Sequence, residues 1–112
     1  MMEIKRDIIS LFEGFEFINK IYLFGSRVNN PDKQKGDIDL CFVVDDESNP
    51  EQIIEKAAHI LVKTNIIVHP VIFKKSEFEI KMNISNYKKT ILDNGKLVYS
   101  NKLTKSNIRK NQ

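Results

Sequence analysis

The chain has 112 residues, 41% of them apolar, with 18 basic and 15 acidic side chains and a net charge of +3. That length builds one compact domain and excludes two, and the composition excludes a disordered chain. The modest positive charge permits a polyanionic partner such as a nucleotide or RNA but does not call for one.

Ile4, Ile8, Leu11 and Phe12 recur at helical spacing, which predicts an amphipathic helix over 2–13 that Gly14 can end. KIYLF is a short β-rich run closed by Gly25 and reads as a buried strand. Residues 28–36 hold Asn-Asn-Pro-Asp and a glycine, a turn or loop. DIDLCFVV is the strongest strand signal. Asp37 and Asp39 fall on one face and Ile38 and Leu40 on the other; the run then turns apolar on both faces, as a central strand does.

In DDESNPEQIIEKAAHILVK, Asn49 is the expected N-cap and Pro50 the first helical residue, with acids crowding the first turn. Ile53, Ala57, Ile60 and Leu61 are the expected buried stripe, with His59 half-buried beside it. NIIVHPVIF is a third strand, and Pro70 within it argues for a sheet edge or a local irregularity. KKSEFEIKM reads as a loop with a short turn. ISNYKKTILDNG reads as a helix with Ile84, Tyr87 and Ile91 inward and Gly95 as its stop, and KLVYS as a closing strand. Residues 101–112, with Lys102, Lys105, Arg109, Lys110 and no acid, read as a basic, frayed tail. The order of elements gives an α/β (α+β) domain over 1–100: a small mixed β-sheet with helices packed mainly on one face.

The single cysteine, Cys41, permits no internal disulfide and fits a reducing cytoplasm; it reads as a small buried hydrophobe. The N-terminus lacks the continuous apolar core of a signal peptide. No apolar run approaches the roughly 20 residues of a membrane span. A soluble, cytoplasmic protein with no membrane partner is expected.

Chemistry concentrates in YLFGSRVNNPDKQKGDIDLCF. Side chains two apart on a strand point the same way, so the carboxylates of Asp37 and Asp39 share a face, where they repel. A divalent cation between them removes the conflict. Mg²⁺ takes oxygen ligands and is commonly held by one or two carboxylates plus substrate phosphates. Gly25 lets backbone approach a ligand closely, Ser26 adds a hydroxyl, the following amides can form an anion nest, and Arg27 adds a cation for phosphate. Either element alone is weak, since a Gly-Ser step is usually a turn and an Asp-x-Asp often a solvated strand edge. Ten residues separate Ser26 from Asp37, and it is the combination at this spacing that points to a site.

LFGSRVNNPDKQKGDIDLCFVV resembles the signature of the DNA polymerase β-like nucleotidyltransferase superfamily: a hydrophobic residue, Gly-Ser, a spacer, then Asp, hydrophobic, Asp, hydrophobic. The LFGSR lead-in is most similar to the minimal nucleotidyltransferases, small prokaryotic stand-alone domains, and the resemblance runs on through 50–63, 65–73 and 84–99. It implies transfer of a nucleoside monophosphate from an NTP, usually ATP, to an acceptor hydroxyl, with Mg²⁺ and release of pyrophosphate. Gly25 and Ser26 would hold the phosphates, and Asp37 and Asp39 the metal. The family takes a third carboxylate from the next core strand. Here that strand has no Asp or Glu, and His69 best occupies the slot. It is a candidate general base or metal ligand; equally, its ring could simply be satisfied by a neighbour, and Pro70 could shift the register that places it.

No room remains for the acceptor-binding domain of larger relatives. The acceptor site must come from a homo-oligomer, from a partner protein, or from an acceptor that is itself a protein. The resemblance also implies a partner: minimal nucleotidyltransferases often act as antitoxins of HEPN proteins. A weakly active or inactive antitoxin that binds such a toxin is therefore the alternative to an enzyme, and a nucleotide sensor is a third reading. The net charge and the basic tail permit RNA or an acidic partner, but a solvated end is the plainer reading of the tail, and a nucleic-acid partner is otherwise unsupported. Asp45, Asp46 and Glu47 read as loop solvation and helix-dipole complement, and Phe15 and Phe17 as core or edge packing.

Overall fold

The computed structural model describes residues 10–28 and 37–101, without the side chains of Ser26, Arg27 and Ser85. Most of the expected N-terminal helix, the loop after Val28 and the basic tail lie outside these residues. Four strands, β1 (Ile18–Phe24), β2 (Ile38–Val44), β3 (Val68–Lys74) and β4 (Lys96–Ser100), form one sheet in the order β3-β2-β1-β4. β1 runs antiparallel to β2 and β4, while β2 and β3 are parallel. A parallel pair needs a crossover; here it is helix α1 (Glu51–Thr64). The result is the mixed α+β sheet that the pattern of the sequence indicates.

β2 takes a central position because it is apolar on both faces. Ile38, Leu40, Phe42 and Val44 join one core cluster with Phe12, Ile53 and Ile60. Cys41 and Val43 join another with Tyr22, Phe73, Met82 and Ile91. Strand alternation puts these clusters on opposite sides of the sheet. α1 covers the first through Ile53, Ala57 and Ile60, spaced to fall on one helical face. Each such isoleucine, fully buried, is worth about 1.5–3 kcal/mol. Leu61, expected in that stripe, lies at its rim and is exposed, as is His59. Pro50, expected as the first helical residue, stands at the cap position instead, and Asn49, expected there, lies one residue earlier with its Oδ1 accepting from the Glu51 N–H at 3.1 Å. Asn65 ends the helix in the left-handed conformation, φ 62°. Pro70 does sit on an edge strand, where its missing N–H breaks no ladder.

Two further expectations fail. KKSEFEIKM is not a loop: helix α2 (Lys75–Lys81) follows β3 directly. Its first turn is fixed by Glu77 Oε1, which accepts from the Lys74 N–H at 2.9 Å, and by Asp46 Oδ1, which accepts from the Ser76 N–H at 3.0 Å. Phe78 then stacks on Tyr22, ring centroids 5.6 Å apart. In the last helical region, a turn α3 (Ser85–Tyr87) runs into a π-helical segment over Lys88–Asp93. The wider π turn shifts the phase, so Ile91 is buried but Ile84 and Tyr87 are exposed. Gly95 does end the helix, for a steric reason: a Cβ there would meet the Ile91 carbonyl and stand 3.1 Å from the Leu23 oxygen.

Candidate active site

Phe24, the last residue of β1, pairs with Asp39 near the start of β2. The chain then turns through a 3-10 helix, Gly25–Val28. Gly25 has φ +80°, a conformation side chains disfavour. A Cβ at Gly25 would also run into the Asp39 carboxylate, 3.2 Å from its Cγ. The glycine turn thus seats its backbone directly on the second carboxylate. The two ends of the polar stretch meet, as the sequence indicates, and a larger residue at position 25 would part them. The backbone of Ser26 and Arg27 lies within this turn.

On the other flank, Asp39 is the cross-strand partner of His69. Paired residues on neighbouring strands face the same side, so His69 shares the face of Asp37 and Asp39. His69 Nε2 lies 2.7 Å from Asp37 Oδ2, with the two side chains 55% and 39% exposed. Pro70 causes no slip: the β2–β3 register runs unbroken from Ile38 opposite Val68 to Val44 opposite Lys74. Across the open end of the sheet the order is therefore His69, the Asp pair, then the glycine turn.

The donor set fits a divalent cation. Two carboxylates on one face, partly open to solvent, offer the hard oxygens that such ions take. Among the described residues no three His, Cys, Asp or Glu side chains close around a metal by themselves.

The other polar candidates have structural partners. Asp45 accepts from Asn19 Nδ2 at 2.7 Å, and Asp46 holds the start of α2. Helix-dipole complement is thus right for Asp46, but the helix is α2, a role no local pattern could signal. Phe15 and Phe17 stack, centroids 5.6 Å apart, and pack on the first core cluster. An open hollow of about 590 Å³ beside them is lined by Gly14, Phe15, Glu16, Phe17, Asp45 and Gln52, at the far end of the sheet from Asp39. Cys41, two residues beyond Asp39, is sealed in the core, and burial pushes its thiol up to about 12. Burial, and then the neighbouring Cys41, also raise the Tyr22 hydroxyl.

The family model described as Polymerase beta, Nucleotidyltransferase matches residues 6–103, and the chain belongs to this family. Solved structures share its fold. A chain of a toxin–antitoxin crystallised with AMP-PNP aligns with TM-score 0.62 at 19% identity, over 89% of this chain and 76% of that one. A variant of the MntA–HpeT toxin–antitoxin gives 0.63 at 19%, over 93% and 77%. The complex of a tri-AMPylated HEPN toxin from Shewanella oneidensis with its MNT antitoxin gives 0.56 at 18%, over 91% and 74%. No curated protein sequence matches significantly. Among the described residues no helix is long and apolar enough to cross a membrane.

Proposed function

We propose that this chain is a cytoplasmic enzyme that moves a nucleoside monophosphate, AMP from ATP, to a hydroxyl on a protein acceptor of the HEPN type. The observation that carries the reading is the seating of the Gly25 turn on Asp39 while Asp37 and His69 face each other on the same side. Membership of the nucleotidyltransferase family supports it. So do fold neighbours crystallised with AMP-PNP and with an AMPylated toxin.

The residues divide the work. The backbone of the Gly25–Val28 turn receives the nucleotide phosphates, with the Ser26 hydroxyl and the Arg27 guanidinium as further donors. Asp37 and Asp39 hold a divalent cation, Mg²⁺ on the family resemblance. When bound, it neutralises phosphate charge and stabilises the leaving oxygen. The acceptor oxygen forms a bond to the α-phosphorus as the bond to the bridging oxygen breaks. Pyrophosphate leaves with that electron pair, and the hydroxyl proton passes to solvent or a nearby base. The nucleotide at the open end of the sheet stands where a protein acceptor can reach it.

The test is incubation with Mg-ATP and the protein encoded beside this chain, read by intact mass. A gain of one adenylyl group on the partner, abolished by D37N/D39N, is the expected outcome. One observation favours a second reading, that of a binding antitoxin: the third carboxylate slot holds His69. A tight complex without transfer, unchanged in D37N/D39N, would replace the catalytic reading with that one.

A further inference from the structure

The third position of the site presents a nitrogen where its neighbours present oxygen. His69 Nε2 and Asp37 Oδ2 stand 2.7 Å apart on adjacent strands, both open to solvent. Two donors bound side by side to a six-coordinate ion lie roughly 3 Å apart, because bonds of about 2.0–2.2 Å meet there near a right angle. The pair already stands near that separation, so an ion can take the place of the direct contact with a small movement. The backbone beneath it is held in an unbroken ladder from Ile38 opposite Val68 to Val44 opposite Lys74. Asp39 lies directly opposite His69 in that ladder, on the same face.

We infer that His69 is a metal ligand that chelates together with Asp37, and that the site therefore selects first-row transition ions such as Mn²⁺ and Co²⁺ over Mg²⁺. Mg²⁺ holds to oxygen and gains little from an imidazole, whereas affinity for nitrogen climbs along the transition series. The inference rests on the reading of Asp37 and Asp39 as metal carriers. It differs from a purely positioning role, in which His69 only orients Asp37. In that case, losing the ring would weaken every ion alike.

The experiment titrates the full chain, without nucleotide, with Mg²⁺, Mn²⁺ and Co²⁺ by calorimetry, in the wild type and in H69D, H69Q and D37N/D39N. In parallel, the imidazole ¹⁵N resonances are followed as Zn²⁺ is added, with exposed His59 on α1 as the internal control. His69→Asp restores an oxygen at the third position, so the ratio of Co²⁺ to Mg²⁺ affinity should fall by about tenfold or more. H69Q should lose Co²⁺ affinity more than Mg²⁺ affinity, which keeps the test alive if H69D does not fold. Zn²⁺ should move the Nε2 resonance of His69 and leave that of His59. An unchanged Co²⁺ to Mg²⁺ ratio in both variants, or Zn²⁺ bound with the His69 resonance unmoved, overturns the inference. In that event, loss of all binding in D37N/D39N would leave the Asp pair intact as the metal carrier. No binding of any ion by the wild type would overturn both.

Discussion

β2 carries aspartates at both ends, and the two ends are built differently. At the far end, Asp45 and Asp46 each accept a hydrogen bond that holds the fold together: one from Asn19 on β1, the other from the first turn of α2. At the near end, Asp37 meets the half-exposed imidazole of His69. Among the described residues no donor is paired with Asp39, and Gly25 is stripped of a side chain to make room for its carboxylate. Among the described residues, the same residue type is tied into the fold at one end of the strand and carries few partners at the other. Two carboxylates on one face repel, a conflict that proteins accept at functional sites.

The largest expected effect breaks the near end. D37N/D39N should lower adenylyl transfer by roughly a thousandfold, as removal of charge stabilisation from a transfer site does. It should leave Tm no lower than that of the wild type, since it relieves repulsion and, among the described residues, breaks only the contact to His69. A clear fall in Tm would mean that the near end is structural too, and that the contrast fails. Next comes G25A, which tests whether the turn and Asp39 need each other. The strained φ alone costs about 1–2 kcal/mol, and the added methyl pushes on the Asp39 carboxylate. Urea unfolding should show the lower stability, and transfer should fall with it. Full activity in G25A would detach the turn from the Asp pair.

Sequence pattern reached far into the near end because its elements are local. Alternation at Asp37 to Leu40 set the shared face of the carboxylates, the all-apolar run beyond set β2 in the centre, and Pro70 set β3 at the edge. The slot of His69 was also legible from its strand. Its bond to Asp37 was not, since that depends on the register of two strands joined by a crossover. The far end hid more. α2 has no buried residue and draws part of its N-terminal cap from Asp46, so its start is written in another segment of the chain. Away from both ends of β2, the π-helical segment before Gly95 breaks the period on which the inward positions of Ile84 and Tyr87 depended.

The smallest expected effect tests the far end on its own terms. The Ser76 backbone N–H, then its hydroxyl, hold the Asp46 carboxyl below the usual carboxylate range, with Lys74 and Lys75 adding to the pull. A carboxyl whose pKa is lowered on folding contributes stability that is fully present above its unfolded pKa of about 3.9 and is lost as pH falls through the lowered value. D46N keeps an oxygen to accept from Ser76 but removes the charge beside the α2 N-terminus. Its Tm should be slightly below that of the wild type at neutral pH, by less than in G25A. The gap should close as pH drops below the ordinary carboxylate range, where wild-type Asp46 also becomes neutral. Transfer should be unaffected, because Asp46 lies at the opposite end of β2 from the Asp pair. A D46N variant with normal Tm at all pH values would show that the charge of Asp46 adds nothing to α2, and one with impaired transfer would show that the two ends of the strand are coupled.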